Sequence, residues 1–435
     1  MRLLTLTLIA LLVASGCARD EFGSRDSGSA LDLPEPSTPT DNSANNTTNE
    51  PPQSGGLNNS NGPDPVGIPD FGQGYEGVSD TTLQAVEAVT RATFTDASAT
   101  AGNVVFSPLA LTNTLTIAAL GGDVQTRQAI ASRLSMDQFE EVAQGLAGLA
   151  SSSTLGAEFS TLPTVWVEPG TALDPGFINA TVPGLVRDVR FADFSSADIA
   201  RQTINNYYRT QTDGRISSVL GPLALQPGDG AAIVDGVYFD ANWETAFDPD
   251  ETAEGTFQAD GGDVQVAFMQ RTGDFFVQRT ATYEAIVVPY ASTYDLVIVQ
   301  PNSAPARAEI ETKFSVQFLT DVVDESVPEQ TFLKMPKIEV EGRLESALHG
   351  DVVANAVERE GGLESSGIEQ ATAMAQRAVI AFDERATTAI VPNTDAAENP
   401  SASVRGQMMI DRPFLFAVRE RSTGILVLAG RVMRP

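Results

Sequence analysis

The sequence predicts an α+β fold, because helical patterns dominate the first part of the folded region and strand patterns the second. Early on, the apolar residues Leu111, Leu115 and Ala118 recur at the spacing of one helical face. Later, short apolar runs such as residues 231–239 have the length of buried strands. These patterns place one folded domain at residues 79–435.

Capping residues predict where the early helices begin and end. Ser79 is a suitable N-cap before an apolar stretch at helical spacing. Ser107 precedes Pro108, and a proline suits the first helical turn because its missing N–H would find no partner inside the helix. Gly121 ends this second helix, and a third covers residues 126–130.

Helical spacing from residue 204 onward predicts a further helix, which leads into a turn at Asp213-Gly214. Short apolar runs predict the strands. Two of the strands follow each other closely enough to form a hairpin. The predicted strands are residues 164–167, 231–239, 286–289, 296–299, 378–382 and 424–430.

A long polar loop at residues 392–406 separates strand 378–382 from the last strands of the chain. Loops of this length are uncommon inside compact domains and are usually functional. The stretch directly before it, residues 383–391, itself contains strand-forming residues that could add to a sheet. We therefore expect the functional element of the chain in this region.

The charge balance excludes several classes of partner. The chain has 27 Lys and Arg residues against 57 Asp and Glu residues, which gives a net charge of −30. Such an acidic surface repels the phosphates of nucleic acids and of anionic membranes. We expect no nucleic acid among the partners, and the charge itself indicates solubility.

Histidine and cysteine each occur once, which excludes sites that need several of these residues. The single His349 cannot form a His-rich metal site, and it lies where a helix end is predicted, so it is expected to cap carbonyl groups. The sequence contains no nucleophile elbow and no metal-ligand spacing. We expect no metal, no cofactor and no enzymatic activity. No disulfide can form within the chain.

The N-terminus has the pattern of an export signal. A charged start is followed by an apolar run at residues 3–13, which is too short to span a bilayer. Small residues at 14–16 then precede Cys17, as in a bacterial lipoprotein box. This resemblance implies removal of residues 1–16 and lipidation of Cys17, with the chain anchored at the outer membrane or cell surface. Plain secretion is the alternative.

Residues 17–78 are rich in Asn, Ser, Thr, Pro and Gly and contain few apolar side chains. Such a composition cannot bury a core, so we expect a disordered tether. Its root-mean-square reach would be about 40–50 Å.

A series of short motifs runs through residues 79–435. They are Phe-Ser-Pro-Leu at 106–109, Leu-Gly-Gly at 120–122, Ile-Asn-Asn-Tyr at 204–207 with Thr-Asp-Gly-Arg-Ile at 212–216, Val-Tyr-Phe-Asp-Ala-Asn-Trp at 237–243, Met-Pro-Lys-Ile at 335–338, Asp-Arg-Pro-Phe at 411–414 and Gly-Arg-Val at 430–432. In this order, and over most of the chain, the motifs resemble those of the serpins, a family of protease inhibitors. Each motif is weak by itself, so the resemblance depends on their order.

The resemblance implies both a fold and a function. The fold would have three β-sheets, roughly nine helices and an exposed reactive-centre loop. The function would be that of a suicide-substrate inhibitor: a target serine protease, or alternatively a cysteine protease, cleaves the loop, and the freed strand inserts into the central sheet. The protease would be the partner of a monomeric chain.

The resemblance places an insertion hinge at Ala386, Thr387, Thr388 and Ala389. By strand alternation, Thr387 and Ala389 would face the core, and neither carries a charge that would oppose burial. Two departures from the family work against insertion. Ala386 stands where the family has a glycine, and Pro392 has no N–H for a sheet.

The resemblance also implies a polar gate beneath the central sheet, formed by Ser107, Asp235 and Gln376 together with Trp243. Asp235 and Gln376 replace an asparagine and a histidine of the family. A carboxylate that accepts from the amide of Gln376 would preserve a hydrogen bond between them. The alternative is that these are unrelated polar surface residues.

The resemblance implies a reactive bond within the polar loop. Counting forward from the hinge places it near Pro400, and counting back from Pro413 places it near Ala402. We expect cleavage between Ala402 and Ser403, whose small side chains suit an elastase-like or subtilisin-like protease. Arg405 would suit a trypsin-like protease but lies further along.

The sequence leaves a second function open. A serpin-fold lipoprotein without inhibitory activity could use the loop only as a binding or structural module. It would be cleaved by proteases without trapping them.

Overall fold

The computed structural model describes residues 78–98, 101–151, 159–182, 184–345, 351–385 and 406–435. Several predictions fall outside these ranges: the signal at 1–16, Cys17 and nearly all of the tether, His349, the hinge at 386–389 and the bond between Ala402 and Ser403.

The described residues form nine α-helices, and the capping residues act as the sequence predicts. Ser107 Oγ accepts the N–H of Ala110 at 3.1 Å, and the helix that starts at Pro108 ends at Gly121. The helices are α1 (Asp80–Ser98), α2 (Pro108–Gly121), α3 (Val124–Leu134), α4 (Phe139–Ser151), α5 (Pro175–Thr181), α6 (Ala197–Gln211), α7 (Ala304–Lys313), α8 (Val316–Asp324) and α9 (Asp351–Val357).

Five of the six predicted runs lie within strands, four of which are longer than predicted, and the sixth, 424–430, is shifted, because β15 begins at Leu426 and ends at Val432. They are β1 (Val104–Phe106), β2 (Phe159–Thr161), β3 (Thr164–Val167), β4 (Asp188–Phe191), β5 (Asp229–Phe239), β6 (Ala253–Phe257), β7 (Val264–Arg279), β8 (Tyr283–Pro289), β9 (Tyr294–Pro301), β10 (Val327–Pro336), β11 (Ile338–Glu345), β12 (Ala371–Phe382), β13 (Gly406–Met409), β14 (Phe414–Glu420) and β15 (Leu426–Val432). The predicted hairpin is formed by β8 and β9, which pair antiparallel.

Hydrogen bonds join the described strands into two sheets. A six-stranded sheet has the order β11-β12-β5-β3-β4, with β2 beside β5. A nine-stranded sheet has the order β1-β15-β14-β9-β8-β7-β10-β13, with β6 beside β7. The three sheets implied by the resemblance appear as two because β7 is 16 residues long. Its last residues pair with β8, and its earlier residues pair with β6 and β10.

The six-stranded sheet has a different hydrophobic core on each face. Ile233 of β5 and Met374 of β12 belong to the main core, which also contains most of α2. Val234 and Ala375, the next residue of each strand, belong to a second core with α6. Since side chains alternate along a strand, each of these two strands contributes to both cores. Helix α2 is buried on nearly all sides, and the hydroxyls of its three threonines donate to carbonyl oxygens one turn earlier in the helix.

None of the helices in the described ranges is both long enough and apolar enough to cross a membrane.

The two sheets lie close together where β11 passes β1. An alanine Cβ at Gly342 would lie only 1.7 Å from the carbonyl oxygen of Val105. Because the obstacle is backbone, Gly342→Ala should destabilise the protein by about 1–3 kcal/mol. The loss would be measured as a lower urea midpoint of unfolding.

Gly148→Ala is the matched control, because a Cβ at this exposed position of α4 would meet no atom within 4 Å. Alanine favours a helix over glycine by up to about 1 kcal/mol, so this variant should be at least as stable as the parent. Equal midpoints for the two variants would contradict the close approach.

Candidate functional site

The centre of the six-stranded sheet is a direct parallel pair, β5 and β12. Their register runs without interruption from Ala231 opposite Thr372 to Tyr238 opposite Val379. Their other neighbours, β3 and β11, pair with them antiparallel. The boundary between β5 and β12, here called the cleft, is the line along which the sheet would have to open to admit a further strand.

The three predicted gate residues Ser107, Asp235 and Gln376 lie together under the cleft. Asp235 and Gln376 are register partners on its two sides. Gln376 Oε1 accepts the N–H of Ser107 at 2.8 Å, and Gln376 Nε2 donates to the Ser107 carbonyl at 3.2 Å. All three residues are almost completely buried. The amide of Gln376 therefore fixes β12 to the start of α2.

The hydrogen bond expected between Asp235 and Gln376 is not formed, so that prediction was wrong. Asp235 instead accepts from the hydroxyl of Thr161 at 2.8 Å and from the N–H of Leu162 at 3.0 Å. The reason is local: both polar ends of the Gln376 amide are used by the backbone of Ser107. The partner of the carboxylate comes from β2, which no sequence motif indicated.

Trp243, the fourth residue assigned to the gate, lies elsewhere, at the end of β12. Its Nε1 donates to the carbonyl of Asp383 at 2.8 Å, and its backbone N–H donates to Arg385 at 3.3 Å. The indole stacks on Tyr290 with ring centroids 4.5 Å apart. The structure thus divides the predicted set into a buried polar group under the cleft and an aromatic anchor at its end.

Glu384 belongs to the same anchor, although the sequence reasoning did not single it out. Its carboxylate accepts from Lys337 at 2.8 and 2.9 Å and from the Thr252 hydroxyl at 2.7 Å, and its carbonyl accepts from Phe247 at 2.7 Å. Burial opposes ionisation, but the hydrogen bonds from Lys337 and Thr252 lower the pKa of Glu384. The motif at 335–338 contains Lys337 and could have indicated it, but the motif gives no sign that Glu384 is its partner.

The chain is fixed to the domain again where the described residues resume, at Gly406. The next strand, β13, pairs parallel with β10. Arg279 Nη1 donates to Glu329 at 2.8 Å, and its Nη2 donates to the carbonyl of Gln407 at 3.3 Å. The segment 386–405 therefore connects two anchored ends, Arg385 after β12 and Gly406 at the start of β13.

A family model described as "Serpin (serine protease inhibitor)" matches residues 85–435 of the chain. The chain belongs to the serpin family. The resemblance and the α+β serpin fold predicted from the motifs are thereby confirmed. The family consists in general of inhibitors of serine proteases and not of enzymes.

Known proteins of the same family are similar to this chain at low sequence identity. An uncharacterized serpin-like protein of Thermococcus kodakarensis is 24% identical over 378 residues, covering 83% of this chain and 87% of that protein. Plasminogen activator inhibitor 1 of Sus scrofa is 26% identical over 362 residues, covering 77% and 87%. The structure of human thyroxine-binding globulin matches with a TM-score of 0.71 at 20% identity, covering 82% of this chain and 99% of that one, which shows the shared fold.

Asp235 is a carboxylic acid buried under the cleft of this serpin. Burial raises the pKa of Asp235 to about 8, although donors from Thr161 and from the backbone favour the ionised form. In the unfolded chain the same group titrates near its ordinary value of 3.8. Folding therefore favours the protonated acid, and the contribution of Asp235 to stability is greatest below about pH 4 and is lost as the pH rises towards 8.

Asp235→Asn should remove this pH dependence, since asparagine keeps an acceptor for Leu162 and cannot ionise. The parent should lose stability relative to the variant by up to about 1.4 kcal/mol per pH unit between these limits. Urea midpoints of both proteins, measured from about pH 4 to about pH 9, give the difference directly. Parallel curves across the range would show that Asp235 does not titrate as described.

Glu384→Gln should weaken the anchor at the end of β12 by about 1–2 kcal/mol, because it removes the charge from the hydrogen bonds to Lys337. The readout is the urea midpoint of the uncleaved protein. Glu309→Gln is the matched control, since the Glu309–Lys313 pair on α7 is exposed and should be worth under about 0.5 kcal/mol. A shift no larger than that of the control would contradict the anchor.

Proposed function

We propose that this serpin is a suicide-substrate inhibitor of serine proteases, with residues 386–405 as the bait and the cleft as the acceptor. The observation that carries the proposal is the direct parallel pairing of β5 with β12. A segment that follows β12 and turns back would run antiparallel to both strands. Insertion would then replace one parallel ladder by two antiparallel ones, which are more stable per residue.

The chemistry belongs to the protease. Its serine hydroxyl attacks the carbonyl carbon of Ala402, the bond to the Ser403 nitrogen breaks, and Ser403 leaves with a free amine. The protease stays bound to Ala402 as an ester. Insertion of the freed strand carries the ester away before water can attack it. Small residues around this bond favour an elastase-like or subtilisin-like target over the trypsin-like one that Arg405 would suit.

The composition of the hinge supports insertion. Residues 386–391 carry no charge, so none of their side chains would bring an unpaired charge into the sheet. The gate residues Ser107, Asp235 and Gln376 lie under the cleft, where they fix β5 to Thr161 and Leu162 and β12 to the start of α2. In the proposed opening, the register partners Asp235 and Gln376 would separate and each would keep its own hydrogen-bond partners.

A second candidate is a binding or structural module with the serpin fold and no inhibitory activity. Two residues favour it: Ala386 stiffens the hinge where the family has glycine, and Pro392 removes one N–H from an inserted strand. A shared fold does not settle the choice, since thyroxine-binding globulin, a binding protein by its name, has this fold as well.

We place the inhibitor outside the cell, anchored by a lipid on Cys17 at the bacterial outer membrane or surface. The composition of residues 1–78 supports this: an apolar leader ends at Cys17, and an Asn-, Ser- and Pro-rich tether follows it. The anchored domain would act as a monomer.

Mixing the protein with elastase-like and subtilisin-like proteases should give a covalent complex that survives SDS, and the released fragment should begin at Ser403. Thr387→Arg should abolish the complex and turn the protein into a substrate, because a charge at this inward-facing position would be buried on insertion. Gel electrophoresis and N-terminal sequencing read out both results.

Thr388→Arg is the matched control, since by strand alternation its side chain would face outward and insertion should tolerate it. If both variants still trap the protease, the insertion mechanism is wrong. If the parent is cleaved without a trapped complex, the second candidate function is the correct one.

A further inference from the structure

Strand β4 forms one edge of the six-stranded sheet, and β3 is its only neighbour among the described strands. Ala192, directly after β4, donates its N–H to the carbonyl of Val167 on β3 at 3.1 Å. Because successive residues turn their backbone groups to opposite sides of a strand, those of Val189 and Phe191 point away from β3. Outward N–H and C=O groups at the edge of a sheet are a template for a further strand.

The two charged side chains of β4 lie together on the face of the sheet that α6 covers. Arg190 Nη1 donates to Asp188 Oδ2 at 2.6 Å. The Arg190 guanidinium also lies over the rings of Tyr207 at 4.4 Å and Trp166 at 5.5 Å, and these contacts hold the cation in place. The side chains of Arg190 and Asp188 are 41% and 40% exposed, so a strand beside β4 can reach both charges.

The charges of β4 select one register for antiparallel pairing with a second copy of the same strand. Side chains that lie opposite each other share a face, and the outward backbone groups must meet. Three such registers, centred on Asp188, Val189 or Arg190, bring the charged residues together. The first places two aspartates opposite each other and the third two arginines, which is destabilising. The register centred on Val189 places each aspartate opposite the arginine of the other copy.

This register uses both the backbone and the side chains of β4. The two Val189 residues form a hydrogen-bonded pair at the two-fold axis, because their backbone groups point outward. Asp188 and Arg190 form the closer, non-hydrogen-bonded pairs on either side, so each carboxylate lies between two guanidinium groups. On the other face Phe191, which is 59% exposed, lies opposite the exposed Arg187 of the second copy, and a guanidinium stacks well on an aromatic ring.

We infer that β4 is an interaction surface for a second copy of this chain, which it binds by antiparallel strand pairing about a two-fold axis at Val189. A contact in which both copies use the same surface closes on itself, so it gives pairs and no longer assemblies. The inference goes beyond the proposed function and does not depend on it. Strand β3 and then β5 separate β4 from the cleft, so each paired domain keeps its own cleft and acts on a protease by itself.

A disulfide cross-link tests the register. The full chain carries Cys17→Ser, which removes its only cysteine, together with Val189→Cys. In a hydrogen-bonded pair the two Cα atoms lie about 5.5 Å apart, within the range that a disulfide spans. Mild oxidation should therefore give a covalent dimer on a non-reducing gel. Val352→Cys is the matched control: this valine of α9 is 68% exposed, so its thiol is accessible, yet it should cross-link more slowly.

Sedimentation equilibrium of the full chain tests the charge pairing. A contact of this small size should give a dissociation constant of about 10 μM–1 mM. Asp188→Lys places like charges opposite each other on both sides of the axis and should weaken the pair at least about ten-fold. Adding Arg190→Glu to this variant restores opposite charges in both places and should recover most of the affinity.

Each outcome decides for or against the pairing. Equal rates of cross-linking at positions 189 and 352 would overturn the inference, and so would a parent chain that stays monomeric up to about 1 mM. If Asp188→Lys dimerises as well as the parent, association uses another surface and the inference is wrong. Should Val189→Cys fail to fold, the sedimentation series decides by itself, because it changes only partly exposed side chains. Trapping of a protease should be the same for the parent and Asp188→Lys.

Discussion

The structure depends on the direct parallel pairing of β5 with β12. Each of these two strands is paired antiparallel with its neighbour on the other side. The ladder between β5 and β12 is therefore a parallel ladder flanked by antiparallel ones. A parallel ladder is slightly weaker per residue than an antiparallel one. In the proposed mechanism, an extra strand that runs antiparallel to both would improve the sheet, and residues 386–405 follow β12 directly in the sequence.

Side chains on both faces of the sheet fix the two strands of this boundary to neighbouring parts of the structure. On the face of the main core, Gln376 binds the backbone of Ser107 and so attaches β12 to α2. On the same face, Asp235 attaches β5 to the end of β2 through Thr161. On the face of the second core, Arg377 donates to the carbonyl oxygen of Ser218, which lies between α6 and β5 in the chain. An Asp with a pKa of about 8 makes this arrangement sensitive to pH near neutrality.

The ends of the bait segment are held by separate contacts. Trp243 and Lys337 fix the chain up to Arg385, and Arg279 fixes β13 at the other end. These anchors determine where residues 386–405 leave and rejoin the domain.

The sequence by itself determined the local features of this protein. Caps such as Ser107, short apolar runs such as 231–239, and the ordered motifs were sufficient for the α+β class and the family, because caps and periodicity depend on neighbours within one or two turns. The resemblance also indicated that Ser107, Asp235 and Gln376 belong together. Tertiary structure alone decided which atoms meet. Thr161 beside Asp235, Lys337 beside Glu384 and Ser218 beside Arg377 are distant in sequence and follow no period, so only the register of the assembled strands brings them together. For the same reason Trp243 lies apart from the gate to which it was assigned. Its position depends on where β5 ends and on how the chain turns beyond that strand.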